Sequence, residues 1–169
     1  MKQIFLGLPK ILLLLLFFGS RDISAEEIIQ LQIISQTAGS FTANESSFTL
    51  AFPDFKKNAV TNSVSVGYSI QGNEVLRTDD VVMARLDAPF DNIAFEALFV
   101  SYTPINGDAT LVPSQADFVT IGTNDVGIAR KNGGKMLDGS FSVTYRAKAL
   151  EDQPAGEEVR TLTVTFAPT

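Results

Sequence analysis

Gly139-Ser-Phe-Ser-Val-Thr-Tyr-Arg-Ala-Lys-Ala149 and, after a short break, Thr161-Leu-Thr-Val-Thr-Phe166 carry the clearest pattern in this chain. Phe141, Val143, Tyr145, Ala147 and Ala149 alternate with Ser142, Thr144, Arg146 and Lys148. Leu162, Val164 and Phe166 alternate in the same way with Thr161, Thr163 and Thr165. Successive side chains of a strand point to opposite faces, so each run makes one apolar face and one polar one. The intervening Glu151–Gly156 holds Pro154 and Gly156 and cannot continue a ladder. The two runs are therefore predicted to pair as an antiparallel hairpin. A hairpin alone is marginal in water, so its apolar face needs a second sheet over it.

The preceding residues supply candidate strands for that sheet. Ile29, Leu31 and Ile33 alternate with Gln30 and Gln32; Phe48, Leu50 and Phe52 alternate up to Pro53; Val64, Val66, Tyr68 and Ile70 alternate with Ser65, Gly67 and Ser69. Gly67 falls on the polar face, where a bulge or the close approach of another backbone would suit it but a small residue on an exposed face is the simpler reading. Gly72-Asn73 reads as a turn. Val81–Leu86 forms a further run. Phe95–Tyr102 is apolar on both faces, which suits a central strand covered on both sides or one bearing a sticky outer face. Shorter segments around Phe41, Leu111, Val119 and Val126–Ala129 complete the set, and no segment sustains a helical period. Short strands with turn signals about every 8–12 residues predict an all-β, immunoglobulin-like β-sandwich of roughly eight strands over residues 26–169.

Residues 1–25 read as a cleaved signal peptide. Lys2 and Lys10 make it positive, Ile11–Phe18 is apolar, and Ile23-Ser24-Ala25 ends on a small residue. Those eight apolar residues fall far short of the roughly 20 that span a bilayer. The expectation is export to the periplasm, cell surface or medium, with membrane contact only through the leader before cleavage.

Beyond the leader the chain has ten basic and 18 acidic residues, a balance that argues against nucleic acid and anionic lipid as partners. It has no cysteine, so no disulfide framework. It has no histidine either, which excludes Ser-His-Asp and Cys-His catalysis and histidine-ligated metals.

Asp79, Asp80, Asp87, Asp91, Glu96, Asp108, Asp117 and Asp125 are the acids available for paired-carboxylate chemistry. Most stand beside Gly, Asn or Pro, where Asp serves local backbone hydrogen bonding. Asp79-Asp80, Asn106-Gly107-Asp108 and Asn124-Asp125 offer oxygen ligands for calcium, without the spacing of a calcium loop. Gly133-Gly134-Lys135 lacks the rest of a phosphate loop and reads as a flexible connection. Asn44-Glu45-Ser46 fits a glycosylation acceptor but reads more simply as a polar turn. Tryptophan is absent, and Tyr68, Tyr102 and Tyr145 fall at positions the core alternation explains. No enzyme activity and no cofactor are expected.

Phe48-Thr-Leu-Ala-Phe52, Val64-Ser-Val-Gly-Tyr68-Ser-Ile70, Leu86-Asp-Ala-Pro89 and the closing Pro154-Ala-Gly156 before Thr161–Phe166 appear in that order. This layout resembles small bacterial surface subunits with immunoglobulin-like folds, in particular chaperone–usher pilins of colonisation-factor-type fimbriae. The chain departs from them in ending on Ala167-Pro168-Thr169, without a terminal aromatic pattern. The resemblance implies a non-catalytic structural or adhesion subunit that assembles with itself or another subunit by β-strand addition. A free-standing binding module for calcium or a glycan is the alternative. Ile29, Leu31 and Ile33 are the docking candidates: their face is expected to enter a sandwich groove, either the chain's own or a neighbour's.

Overall fold

The computed structural model describes residues 28–36, 40–54, 56–74, 80–152 and 156–166. The expected leader lies outside them. Among the described residues there are eleven strands and no helix. They are β1 (Ile28–Gln36), β2 (Ser40–Ala43), β3 (Ser47–Ala51), β4 (Val64–Glu74), β5 (Asp80–Leu86), β6 (Ile93–Pro104), β7 (Thr110–Pro113), β8 (Val119–Thr120), β9 (Val126–Asn132), β10 (Met136–Ala149) and β11 (Glu157–Phe166). The number exceeds the expected eight because the short candidates around Phe41, Leu111 and Val119 all form strands, β2, β7 and β8.

Two sheets form a sandwich, ordered β3-β1-β11-β5-β9-β7 and β2-β4-β10-β6-β8. Odd-numbered strands make one sheet and even-numbered strands the other, so the chain changes sheet at every connection. No two consecutive strands pair. The closing segments therefore do not form the expected hairpin. β10 lies between β4 and β6, whereas β11 crosses to the other sheet, between β1 and β5. Alternation states which face of a strand is apolar but not which strand lies beside it. β10 and β11 thus lie in facing sheets, which stand roughly 10 Å apart in such sandwiches, and their apolar faces cover one another.

Along β10 every second residue from Leu137 to Ala149 is buried, and β11 buries Leu162, Val164 and Phe166. Aromatic rings fill the space between. Phe48 of one sheet stacks on Tyr145 of the other at 5.2 Å, and Phe41 lies 5.6 Å from Tyr68 and 6.0 Å from Phe166. The Tyr68 and Tyr145 hydroxyls share a 2.7 Å hydrogen bond inside this core.

Three local readings change. Phe95–Tyr102 is not covered on both faces: Ser142 pairs with Ser101 and Val143 with Phe99, so Val100 is an extra residue in a bulge. The bulge shifts the period, leaving Phe95, Ala97 and Phe99 buried, Tyr102 packed against the core and Val100 54% exposed. Gly72-Asn73 does not reverse the chain but continues β4, where its register against β10 shifts. Gly67 is a point of close approach, since a Cβ there would lie 2.4 Å from Nδ2 of Asn44.

Candidate functional site

The docking candidates lie on β1, an interior strand of the first sheet next to its edge strand β3. Its flanks are β3, antiparallel from Ile28↔Ala51 to Gln32↔Ser47, and β11, parallel from Ile28↔Glu157 to Gln36↔Thr165. The backbone amide of Ala51 donates to Asn62 Oδ1 (2.8 Å) and its carbonyl accepts from the Asn62 amide (3.3 Å), so Ala51 faces away from β1. The Ile33 amide donates to the Ser46 carbonyl at 2.9 Å. Hydrogen-bonding direction alternates along a strand. Ile29, Leu31 and Ile33 thus bond towards β3, and Gln30 and Gln32 towards β11.

Side chains divide independently of that. Ile29 and Leu31 are fully buried and Ile33 is 8% exposed, while Gln30 and Gln32 face solvent. Burying three such side chains contributes about 1.5–3 kcal/mol each, comparable in sum with the roughly 5–15 kcal/mol stability of a whole domain. Leu31 stands between Phe48 on β3 and Arg160 on β11. Withdrawing β1 would strip β3 of its only sheet partner among the described residues and open the core between Phe48 and Leu162. The structure places Ile29, Leu31 and Ile33 together, inside the chain's own sandwich. A groove of about 250 Å³ runs over this strand, lined by Gln30, Gln32, Ser46, Ser47 and Val159.

The far flank of β11 is fixed. Its second half pairs with β5, from Leu162↔Leu86 to Phe166↔Val82. Where β5 ends, Asp87 takes over: its amide donates to the Thr161 carbonyl (3.0 Å), and its Oδ1 accepts from the amides of Thr161 and Ala88, both at 2.9 Å. Partial burial pushes the Asp87 carboxyl up, but these amides more than offset it and hold the group below its usual range. Arg160 donates through Nε to the Pro89 carbonyl (3.0 Å), meets Glu158 at 2.6 Å, and lies 5.1 Å above the Phe90 ring. Sequence reasoning left Asp87 as one acid among eight. Its position next to Pro89, where a strand must stop, was the available signal.

The remaining acids do not gather. Glu96 lies opposite Arg146 on β10 and takes its Nε at 2.7 Å, with the guanidinium 3.7 Å over Phe118. Asp125 is 3.8 Å from Arg85. Asp108 Oδ1 accepts from the Met136 and Lys135 amides, both at 2.8 Å. Those two bonds hold its carboxyl below the usual range. Asn106-Gly107-Asp108 thereby docks on Gly133-Gly134-Lys135, which is a fitted arch rather than a free loop. A Cβ on Gly134, at φ +52°, would lie 2.3 Å from the Asp108 carbonyl. Asp91 and Asp117 are exposed, Asp79 lies outside the described residues, and the side chain of Asp80 does too. Among the described residues no three acids stand close enough to share a metal ion, and no helix is long and apolar enough to cross a membrane. A cleft of about 650 Å³ along β7 and β9 is lined by Val112, Pro113 and Arg130–Gly133.

No protein-family model matches the chain, and no curated protein matches its sequence.

Proposed function

We propose that this chain is a non-catalytic, immunoglobulin-like structural or adhesion subunit of a bacterial envelope or surface structure, exported by its leader and assembled by exchange of β1. The observation that carries this reading is the position of β1: the first described strand is an interior strand of its sheet, paired on both sides. It supplies three core side chains and is joined to the last strand, β11, by a parallel ladder. An incoming strand of the same pattern would find a ready slot between β3 and β11. The outer edges of the sheets offer less. β2 and β7 have four residues each, β8 has two, β3 has five with its end closed by Asn62, and β7 ends on Pro113. Short or proline-ended edges discourage strand addition from outside. The parallel first and last strands support kinship with immunoglobulin-like subunits. The connections, which change sheet at every step, lend it none. Calcium binding draws no support from Asp108, whose Oδ1 is taken by two backbone amides.

The test is oligomeric state after β1 has been released and returned. The chain is partly unfolded at high concentration, refolded, and examined by size-exclusion chromatography beside Leu31→Asp. Exchange between copies gives a ladder of sizes in the native chain and none in the variant, because a carboxylate cannot enter the slot without a partner. A native chain that returns only as monomer at every concentration would remove the assembly reading.

A further inference from the structure

We propose that the sandwich is a load-bearing unit whose mechanical clamp is the β1–β11 ladder. The inference concerns the ladder within one chain and rests on its direction, not on exchange of β1 between copies. β1 and β11 run parallel, in continuous register from Ile28↔Glu157 to Gln36↔Thr165. Ile28 therefore lies at one pole of the sandwich and Phe166 near the other. Tension applied ahead of Ile28 and behind Phe166 pulls the two neighbouring strands in opposite directions along their own axes. The registered pairs then carry the force together, in shear. Had the two strands been antiparallel, the same tension would open the ladder from one end, one pair at a time.

Each strand is braced against sliding on its other side. β1 is held by β3 and by the Ile33–Ser46 bond of 2.9 Å. β11 is held by β5, by the reciprocal Asp87–Thr161 bonds and by Arg160 on the Pro89 carbonyl. Slippage of β1 by any step also drags Ile29, Leu31 and Ile33 through the core, all at once. A slip of one residue would bring Gln30 and Gln32 to the apolar face. The clamp thus combines a shared ladder with a side-chain ratchet, and both act only for force along the strands.

Force direction can be varied while the protein stays the same. The chain has no cysteine, so single thiol handles can be introduced without competition. In the first geometry, handles are joined ahead of Ile28 and behind Phe166. In the second, the rear handle is a cysteine at Gly156→Cys, an exposed position with open space around a Cβ. That site lies beside Ile28, so the same β1–β11 pairs are opened from one end. Both forms are first checked for an unchanged melting temperature, and Glu157→Cys replaces Gly156→Cys if that variant melts lower. Single-molecule pulling then reads the unfolding force. Forced rupture follows the barrier along the pulled direction rather than equilibrium stability. The expected result is a severalfold higher force in the first geometry. Equal forces, or a higher force from Gly156, would overturn the clamp.

Discussion

The hydroxyls of Tyr68 and Tyr145 meet at 2.7 Å in the middle of the core, with both residues fully buried. Burial pushes both phenols above their ordinary value of 10.0, and for Tyr145 the neighbouring Tyr68 adds to the rise. A folded pKa raised above the unfolded one gives stability that is full below the unfolded value and is lost as pH climbs past it. Neither group is therefore expected to ionise in the folded chain. Ultraviolet titration of tyrosinate should show Tyr68 and Tyr145 appearing only together with unfolding. Reversible titration of both near pH 10 in a folded chain would contradict the buried pair.

The same pair gives a cycle of variants. Tyr68→Phe leaves the Tyr145 hydroxyl buried without its partner, at a cost of about 1–3 kcal/mol. Tyr68→Phe combined with Tyr145→Phe removes both polar atoms and is expected to cost less than the sum of the single changes. Denaturant unfolding measures this; strict additivity would mean the hydroxyls do not depend on each other.

Asp108 is the test of the loop pole. Its carboxyl is held low by the Met136 and Lys135 amides, so its contribution is present above the unfolded carboxyl pKa and is lost as pH falls through the depressed folded one. Asp108→Asn should melt below the native chain at neutral pH, and the gap should close as pH drops below 3.8, the ordinary value for this group. Asp108→Ala, which loses both acceptor bonds, should retain a deficit even there. A gap that stays constant with pH would show that the charge contributes nothing.

Gly134 separates conformation from space. Gly133 (φ +65°) and Gly134 (φ +52°) share a left-handed backbone, but only Gly134 faces the Asp108 carbonyl, at 2.3 Å from where a Cβ would stand. Gly133→Ala should cost about 1 kcal/mol, the conformational penalty alone. Gly134→Ala should cost clearly more, because backbone must move. Equal melting temperatures for the two variants would mean that the arch is not docked on Asp108.

Much of the sandwich is legible in the chain, because burial follows period two along most of its longer strands. Leu137–Ala149, Val64–Ile70 and Ile29–Ile33 can be read directly. Pairing is not legible in the same way. Ile33 and Leu162 become neighbours only because every connection changes sheet, and no residue near either records that. The break at Pro154–Gly156 looks the same whether the chain turns back beside itself or arches to the facing sheet. A slip such as Val100 is hidden for another reason: a bulge and a two-sided apolar strand share one pattern. The docking candidates could be named from alternation, whereas their setting needed coordinates. The role of Asp87 depends on Thr161, far away in sequence, and Asp108 likewise acts through Lys135 and Met136.

The central claim is that β1 is a separable strand completing a slot between β3 and β11. Complementation tests it most directly. The chain lacking residues 28–36 is refolded with a labelled peptide of those residues, and binding is measured by fluorescence anisotropy beside a peptide carrying Leu31→Asp. The account requires one native peptide bound per chain, with the cooperative melting of the whole protein restored, and no binding by the Leu31→Asp peptide. Failure of the native peptide to bind or restore melting, or a truncated chain that melts like the whole without any peptide, would contradict it.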